Sequence, residues 1–297
     1  MRQYHYLHLD VFTDHVFGGN QLAVFPEPAG LDAETMQAIT REMAYSESTF
    51  VFPAEDPRTA MRVRIFTPGR ELPMAGHPTV GTAFALAHEG VIPAGQPEVV
   101  FGLGVGPITV RLRWEGSRLV FAEMQQLSPT FGDIVDPVAV VATMLNLDAH
   151  DIAESSPVQS VSCGVPFLFV PLRTRDAVDR AMVDVAALKR WVAQEIFVFS
   201  TEPGSDGATA YSRMFAPNLG VAEDPATGAA SGPLGCYLVR YGLVRPEEAQ
   251  RIVSTQGVKM GRPSRIHISI GADAPDRITD VRVGGNAVLV GEGVLRW

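Results

Sequence analysis

The sequence predicts an α+β fold of two similar halves, each a curved, mostly antiparallel, barrel-like sheet around one buried helix. Three observations lead to this prediction. The chain repeats its own motifs at a nearly constant spacing. Strand signals outnumber helix signals and lack the alternation that a parallel doubly wound sheet requires. Finally, each half contains one helix that is apolar on nearly every face.

The repeat joins segments that lie 145 to 149 positions apart. Proline and glycine keep their places in the best match, while the polar residue before the proline changes from His77 to Asp224. So narrow a range of spacings predicts two halves, 1–125 and 126–284, with the C-terminal strand 285–297 joining the first. The matched segments are Arg64–Pro68 with Arg213–Pro217, Ala75–Gly81 with Ala222–Gly228, Phe50–Phe52 with Phe197–Phe199, and Gly19–Gln21 with Gly164–Pro166.

Strands are predicted wherever β-branched or alternating apolar runs lie between Gly, Pro and Asp turns. Trp114–Arg118 has the sequence of a hairpin turn. The predicted strands are 4–12, 21–25, 48–53, 61–66 and 107–114 in the first half, and 158–172, 196–200, 211–216, 266–270 and 279–290 in the second.

Ordinary helices are fewer than strands. Asp32 is a good N-cap for a helix through about Met43, and shorter helices are predicted at Val138–Leu145, Val185–Ala193 and Pro246–Arg251.

The two central helices are predicted at Pro78–Glu89 and at about Ala226–Tyr241. Both are rich in small apolar residues, and the first has Pro in its first turn and Gly90 where a helix-ending glycine belongs. A helix that is apolar on every face is buried on every face. Each half is therefore expected to wrap its sheet around one of these helices.

Composition narrows the class of protein. A chain of 297 residues that is 46% hydrophobic can form two domains with full cores. The net charge of −9 makes nucleic acids and anionic membranes poor partners and leaves small molecules or proteins. The sequence has no signal-type segment and no apolar run long enough to span a bilayer, so a cytoplasmic protein is expected. Cys163 and Cys236 are expected to be buried, reduced thiols.

Glu47 is the first candidate catalytic residue. It leads into the apolar strand Thr49–Phe52, so its carboxylate is expected to be partly removed from water. A Glu at a strand entrance is usually just solvated, but a carboxylate in such a place is suited to proton transfer. Its partner in the second half, at a spacing of 147, is Gln194. The repeat thus predicts an ionisable acid on one side only, as expected for one proton-transfer group in a shared cleft.

His77 and Asp224 are candidates because both lie at the predicted start of a buried helix, Asp224 as an N-cap before Pro225. Either could be purely structural, since Asp-Pro commonly begins a helix and a buried His commonly satisfies only its own hydrogen bonds. However, free N–H groups at two buried helix starts attract anions. Facing each other across a cleft, the two residues could hold and polarise a small anionic substrate.

Other chemistries are not supported by the sequence. The run Gly102–Gly106 resembles a dinucleotide-binding loop, but the strand-like Pro107–Trp114 follows where a helix is required, so a turn is predicted. The histidines lack the spacing of metal ligands, and no phosphate-binding loop is present. Neither a cofactor nor a metal is predicted.

Several motifs together resemble the phenazine-biosynthesis PhzF-like isomerases over almost the whole chain. They are Gly19-Asn20, Ser46–Phe50, Arg64–Pro68 with Glu71-Leu72-Pro73, Ala75–Pro78, Glu223–Gly228, Gln256-Gly257 and Gly261–Pro263. The resemblance implies a diaminopimelate-epimerase-like fold with the site between the halves, often as a homodimer.

The resemblance also implies roles for residues. The family glutamate that matches Glu47 moves a proton on a cyclohexadiene acid, while positions matching His77 and Asp224 complete the catalytic set. The implied substrate-binding residues are Asn20, Gly76, Thr227, Gly228 and Ala229. Here Gly228-Ala229 replaces the family's Gly-Ser, which removes a hydroxyl that would face the substrate.

Two functional hypotheses follow. The first is a cofactor-independent isomerase in which Glu47 removes a proton from a carbon acidified by conjugation and returns it elsewhere. The second is a non-catalytic small-molecule binder or interaction protein on the same scaffold. Retention of Glu47 favours the first hypothesis, and the missing serine hydroxyl at Ala229 favours the second. A metal-dependent lyase is a distant third.

Overall fold

The computed structural model describes residues 2–191 and 194–296. These residues form two compact units. The N-terminal unit contains 2–125, 219–221 and 283–296, and the C-terminal unit contains the described residues of 126–218 and 222–282.

The N-terminal unit is a sheet with two helices. Asp32 accepts a hydrogen bond from Thr35 N at 2.8 Å, which caps the first helix as predicted. The elements of this part of the chain are β1 (Gln3–Val11), β2 (Asn20–Phe25), α1 (Ala33–Met43), β3 (Glu47–Pro53), β4 (Met61–Phe66), β5 (Glu71–Leu72), α2 (Gly76–His88), β6 (Glu98–Leu103), β7 (Gly106–Glu115) and β8 (Arg118–Gln125).

The C-terminal unit has the same kinds of elements, and the last strand of the chain belongs to the N-terminal unit. The elements of this part of the chain are β9 (Thr130–Ile134), α3 (Val138–Met144), β10 (Gln159–Ser162), β11 (Pro166–Pro171), α4 (Arg175–Arg180), α5 (Val185–Trp191), β12 (Glu195–Ser200), β13 (Ala210–Ala216), β14 (Val221–Asp224), α6 (Gly228–Arg240), β15 (Ile252–Gln256), β16 (Ser264–Ala274), β17 (Arg277–Gly285) and β18 (Ala287–Arg296).

The order of strand pairing is the same in the two units. In the first, β1–β2 is antiparallel, β2–β3 parallel, β3–β4 antiparallel, β4–β6 parallel and β6–β7 antiparallel. In the second, the same alternation runs through β10–β11, β11–β12, β12–β13, β13–β15 and β15–β16. Parallel neighbours need a crossover connection, and helices supply it at equivalent places. This shared order supports the internal duplication.

The central helices α2 and α6 have the burial predicted for them. Every residue of Gly76–Leu86 and of Gly228–Leu238 is buried. Their predicted starts are wrong by two residues, since α2 begins at Gly76 instead of Pro78 and α6 at Gly228 instead of Ala226. The α+β class is confirmed.

Other predicted elements need local correction. The strand 158–172 is two strands, because Gly164 takes a φ of +127° and turns the chain. The strand 279–290 likewise divides between β17 and β18 at Asn286, and Pro246–Arg251 forms only a 3₁₀ turn at Pro246–Glu248. The predicted helix Val185–Ala193 is α5, and its predicted last two residues lie outside the described residues.

The two cysteines are buried free thiols, as predicted. The sequence did not predict that they are neighbours, with Sγ atoms 3.8 Å apart. The hydrogen bond with Cys163 and burial both raise the pKa of the Cys236 thiol. Within 2–191 and 194–296, none of the helices has the length and apolar character needed to cross a membrane.

Candidate active site

The N-terminal unit brings two predicted catalytic residues into contact. Glu47 is the first residue of β3, and His77 lies in the first turn of α2. Their Oε2 and Nε2 atoms are 3.3 Å apart. Only 9% of Glu47 and 2% of His77 is exposed, so the contact is almost closed to solvent.

Asn20 holds the other side of the imidazole. It is the first residue of β2, which runs parallel to β3, so Asn20 and Glu47 begin neighbouring strands at the same edge. Asn20 Nδ2 and His77 Nδ1 are hydrogen-bonded at 3.1 Å. Nε2 is the ring nitrogen that faces Glu47. Asn20 therefore fixes the orientation of the imidazole.

Burial keeps the imidazole neutral. Loss of solvent lowers the pKa of His77 to about 3, and a hydrogen bond with the backbone of Gln21 opposes this only in part. The cost of burying an imidazolium thus outweighs what the Gln21 backbone offers it. At neutral pH His77 therefore gives Glu47 no positive charge, and the contact between Nε2 and Oε2 does not have the geometry of a hydrogen bond.

Asp224 lies at the end of a strand, so its predicted role as an N-cap is wrong. It is the last residue of β14 and is 4% exposed, and the N-cap of α6 is Thr227. Thr227 Oγ1 donates to Asp224 Oδ2 at 2.6 Å. Neither Ala75, the N-cap of α2, nor Thr227 makes a side-chain hydrogen bond that caps its helix.

Two arginine–glutamate pairs establish the true register of the repeat. Arg64 forms a two-point ion pair with Glu71 at 2.7 and 2.6 Å, and Arg213 forms one with Glu223 at 2.8 and 2.9 Å. In each unit a proline follows the glutamate by two residues, and the central helix starts three residues later. The matched positions are Glu71 with Glu223, Pro73 with Pro225, and Gly76 with Gly228.

In this register His77 and Asp224 are not equivalent. His77 matches Ala229, and Asp224 matches Leu72. The sequence alignment failed because it matched Pro78 with Pro225 by identity. Glu223 follows Arg213 by ten positions, whereas Glu71 follows Arg64 by seven, and the longer stretch includes a 3₁₀ turn at Pro217–Leu219.

Glu47 also has a different counterpart from the one predicted. Arg64 pairs with Phe50 across β3–β4, and Arg213 pairs with Val198 across β12–β13. Counting back along each strand, Glu47 matches Glu195, the first residue of β12, and not Gln194. Glu195 is 6% exposed. Both units therefore have a buried acid at this position, so the prediction of an acid on one side only is wrong. The sequence alignment was off by one residue here, and only the pairing of the strands reveals this shift.

The remaining predicted binding residues surround the starts of the central helices. Gly76 and Gly228 are the first residues of α2 and α6, and Ala229 is 8% exposed in the first turn of α6. The Gly228 carbonyl accepts from Gln126 Nε2 at 2.9 Å. Sequence reasoning missed the contacts of two buried amides with this segment, those of Gln126 and Gln256.

Two groups of side chains among the described residues could hold a metal ion. Each brings three ligand atoms within 4.8 Å of one another, and neither contains a predicted site residue. The groups are His5 with Glu89 and Glu292, and Asp148 with His150 and Asp151. In the second group, Asp151 already pairs with Arg180 at 2.6 Å.

Known proteins resemble this chain over its whole length. The family model of phenazine biosynthesis-like proteins matches residues 9–293. The trans-2,3-dihydro-3-hydroxyanthranilate isomerase of Pseudomonas chlororaphis is 36% identical, over 98% of this chain and 99% of that protein.

Solved structures share the fold. The phenazine biosynthesis protein of the PhzF family from Bacillus anthracis superposes with a TM-score of 0.88 at 26% identity, over 100% of both chains. A hydroxyproline epimerase from Agrobacterium vitis superposes with a TM-score of 0.69 at 13% identity, over 99% of this chain and 92% of that one. These likenesses confirm the predicted epimerase-like fold.

Proposed function

Because the chain belongs to the family of phenazine biosynthesis-like, or PhzF-like, proteins, we propose that it moves a proton on a small unsaturated carboxylic acid by general acid/base catalysis. Relatives about 35% identical over nearly the whole chain are named isomerases, which confirms the predicted enzyme class. The single observation that carries the proposed mechanism is the buried contact between Glu47 and the neutral His77.

Glu47 is the proposed acid/base. Its contact with His77 involves no cation, so protonation of the carboxylate breaks no ion pair with that ring. In the proposed reaction Glu47 takes a proton from a carbon acidified by conjugation and returns it to another carbon of the same molecule. The double bond shifts and no atom is gained or lost, so the chemistry requires no added oxidant or reductant. His77 stays neutral and packs against the carboxylate.

Asp224 and the helix starts are proposed to bind the substrate. First-turn N–H groups without a side-chain cap suit a carboxylate, and Asp224 suits a hydroxyl or amino group of the substrate. A relative from Pseudomonas chlororaphis is named for an isomerase of trans-2,3-dihydro-3-hydroxyanthranilate. Because Ala229 lacks the family's hydroxyl, we extend the proposal to the class of unsaturated carboxylic acids and not to that compound alone.

The test is a solvent-deuterium exchange screen read by mass. The panel contains trans-2,3-dihydro-3-hydroxyanthranilate and other unsaturated or hydroxylated carboxylic acids. For a compound that is labelled, Glu47→Gln should lower turnover by roughly 10²–10⁴-fold with little change in substrate affinity. The matched control is Glu195→Gln, the same chemical change at the equivalent strand position, which should leave turnover nearly unchanged. Full activity in Glu47→Gln would show that another group moves the proton.

The missing hydroxyl at Ala229 favours a second candidate function, a non-catalytic binder of the same acids. In that case a compound of the panel should raise the melting temperature without taking up deuterium. The homodimer that the resemblance implies is also a proposal, which light scattering during gel filtration measures.

A further inference from the structure

One buried side chain holds the whole segment that carries Asp224. Gln256 is the last residue of β15 and has no exposed surface. Its Nε2 donates to the Asp224 carbonyl at 2.7 Å and to Thr227 Oγ1 at 2.9 Å. Its Oε1 accepts from Thr227 N at 3.0 Å. The amide thus uses both of its donor hydrogens and an acceptor position on four residues of chain.

These contacts determine where the Thr227 hydroxyl points. A hydroxyl has one hydrogen to donate, and Gln256 Nε2 already occupies an acceptor position on its oxygen. The hydrogen is left to point at Asp224 Oδ2, 2.6 Å away. Gln256 therefore acts on the Asp224 carboxylate through Thr227, as well as on the Asp224 backbone directly.

The neighbouring residue explains which way Asp224 points. Glu223 forms its two-point ion pair with Arg213, which is 8% exposed. Adjacent residues of a strand project to opposite faces, so Asp224 projects away from that arginine. On that side the Asp224 carboxylate accepts from the Thr227 hydroxyl.

The N-terminal unit contains a natural comparison for Gln256. A Cβ on Gly257 would lie 2.5 Å from the Pro225 carbonyl, and a Cβ on Gly104 would lie 3.0 Å from the Pro73 carbonyl. These two glycines are equivalent, so the residue before each one is equivalent too. In the N-terminal unit that residue is Leu103, the last residue of β6, which is also buried. The fold therefore does not require a polar residue at this strand end. We attribute the glutamine to its hydrogen bonds with the segment that carries Asp224.

We infer that Gln256 is a positioning residue that orients Asp224 for the substrate through the Thr227 hydroxyl. This inference rests on the proposed role of Asp224. The variant that tests it is Gln256→Glu, which has the same shape but presents an acceptor oxygen to the Asp224 carbonyl and the Thr227 hydroxyl. While the introduced carboxyl is ionised, its contact with the Asp224 carbonyl is repulsive, and the Thr227 hydroxyl can turn its hydrogen away from Asp224 to the new carboxylate.

Protonation of the carboxyl introduced by Gln256→Glu restores a hydrogen-bond donor at this position. On a compound labelled in the deuterium screen, the kcat/KM of Gln256→Glu should be roughly 10-fold or more below wild type at pH 8, since two donated hydrogen bonds are lost. The ratio of wild-type to variant kcat/KM should shrink toward one as the pH falls to 5. A merely structural role predicts a ratio that is independent of pH or that grows with acid, and either result would overturn the inference.

Two variants of Thr227 test whether Gln256 acts on Asp224 through the Thr227 hydroxyl. Thr227→Ser keeps the hydroxyl and should keep most of the activity, whereas Thr227→Val keeps the shape and should lose about as much as Gln256→Glu. The double variant Gln256→Glu/Thr227→Val should be little worse than either single one, because both interrupt one chain of hydrogen bonds. If the losses of kcat/KM in the two single variants instead multiply in the double variant, the two residues act independently and the inference is contradicted.

The inference can also be decided without activity. If the wild-type protein labels no compound, the proposed function fails. Crystal structures of Gln256→Glu at pH 5 and pH 8 still test whether Gln256 positions Asp224. The contact between Thr227 Oγ1 and Asp224 Oδ2 should be present at pH 5 and broken at pH 8. An unchanged contact at pH 8 would show that Gln256 does not position Asp224.

Discussion

The buried His77 should make the stability of the protein depend on pH in a specific direction. Its pKa is about 3 in the folded protein against 6.5 as the ordinary value. Between these values the unfolded chain binds a proton that the folded protein does not. The contribution of the neutral His77 to the free energy of unfolding is therefore fully present above pH 6.5 and is lost as the pH falls toward 3.

The size of the effect follows from the shift in pKa. One titrating group changes the free energy of unfolding by at most about 1.4 kcal/mol per pH unit, and by half of that at its unfolded pKa, so from pH 6.5 to 4.5 His77 should cost about 2 kcal/mol. Urea unfolding of wild type and of His77→Gln across this range isolates the term, because the amide does not titrate. The pH profiles of the two proteins should diverge by that amount. Identical profiles would refute the neutral, buried imidazole.

A direct measurement uses the ring signals of the seven histidines in NMR spectra. The signal that disappears in His77→Gln should not shift between pH 5 and 8, since at pH 7 only about one molecule in ten thousand carries the imidazolium. A titration midpoint between pH 5.5 and 7.5 would contradict both the burial argument and the proposed role of His77 as a neutral neighbour of Glu47.

Two further predictions concern the packing around the central helices. Cys163 and Cys236 should not react with a disulfide reagent in the folded protein at pH 7, because both are buried and the pKa of Cys236 is raised, and two thiols should react after unfolding in urea. Gly81→Ala should lower the free energy of unfolding by about 1–3 kcal/mol, because its new Cβ would lie 2.5 Å from Leu22 Cδ2. Gly291→Ala, where a Cβ has open space, is the control and should change it by less than about 0.5 kcal/mol. Equal stability of the two variants, or rapid thiol labelling of the folded protein, would count against this packing.

The central helices could be predicted from sequence because the signal lies within each segment. An all-apolar run with small residues predicts burial without reference to the rest of the chain. The same holds for the hairpin at Trp114–Arg118, where Gly116 takes a φ of +59°. Glu47 and His77 could be singled out for a similar reason, since each is a polar group at the edge of an apolar segment.

The register of the duplication could not be predicted, because it depends on pairs that form only in the folded chain. The Arg64–Glu71 and Arg213–Glu223 ion pairs fix it, and the sequence contains no sign that the spacing from arginine to glutamate is ten positions in the second unit and seven in the first. Matching prolines by identity placed His77 opposite Asp224. Matching the short Phe-Val-Phe motif placed Glu47 opposite Gln194, one residue from the buried Glu195.

Gln256 shows a second limit of sequence reasoning. Gln256-Gly257 is one of the motifs behind the family resemblance, but neither that motif nor any periodicity assigns the hydrogen-bond partners of the glutamine. Its importance comes from the approach of β15 to the Pro225 carbonyl, where Gly257 leaves no room for a side chain. Contacts of this kind depend on how strand ends meet loops, which the local pattern of residues does not encode.

The pairing of β1 with β18 has a consequence for how the protein is made. The two strands align along their length, from Gln3 opposite Arg296 to Val11 opposite Ala287. The N-terminal unit therefore obtains one of its strands only after the C-terminal unit has been synthesised. Contacts between residues so distant in sequence form slowly, and until then β1 presents an unpaired strand edge. During synthesis the C-terminal unit can complete its own strand pairing before the unit that contains Glu47 and His77.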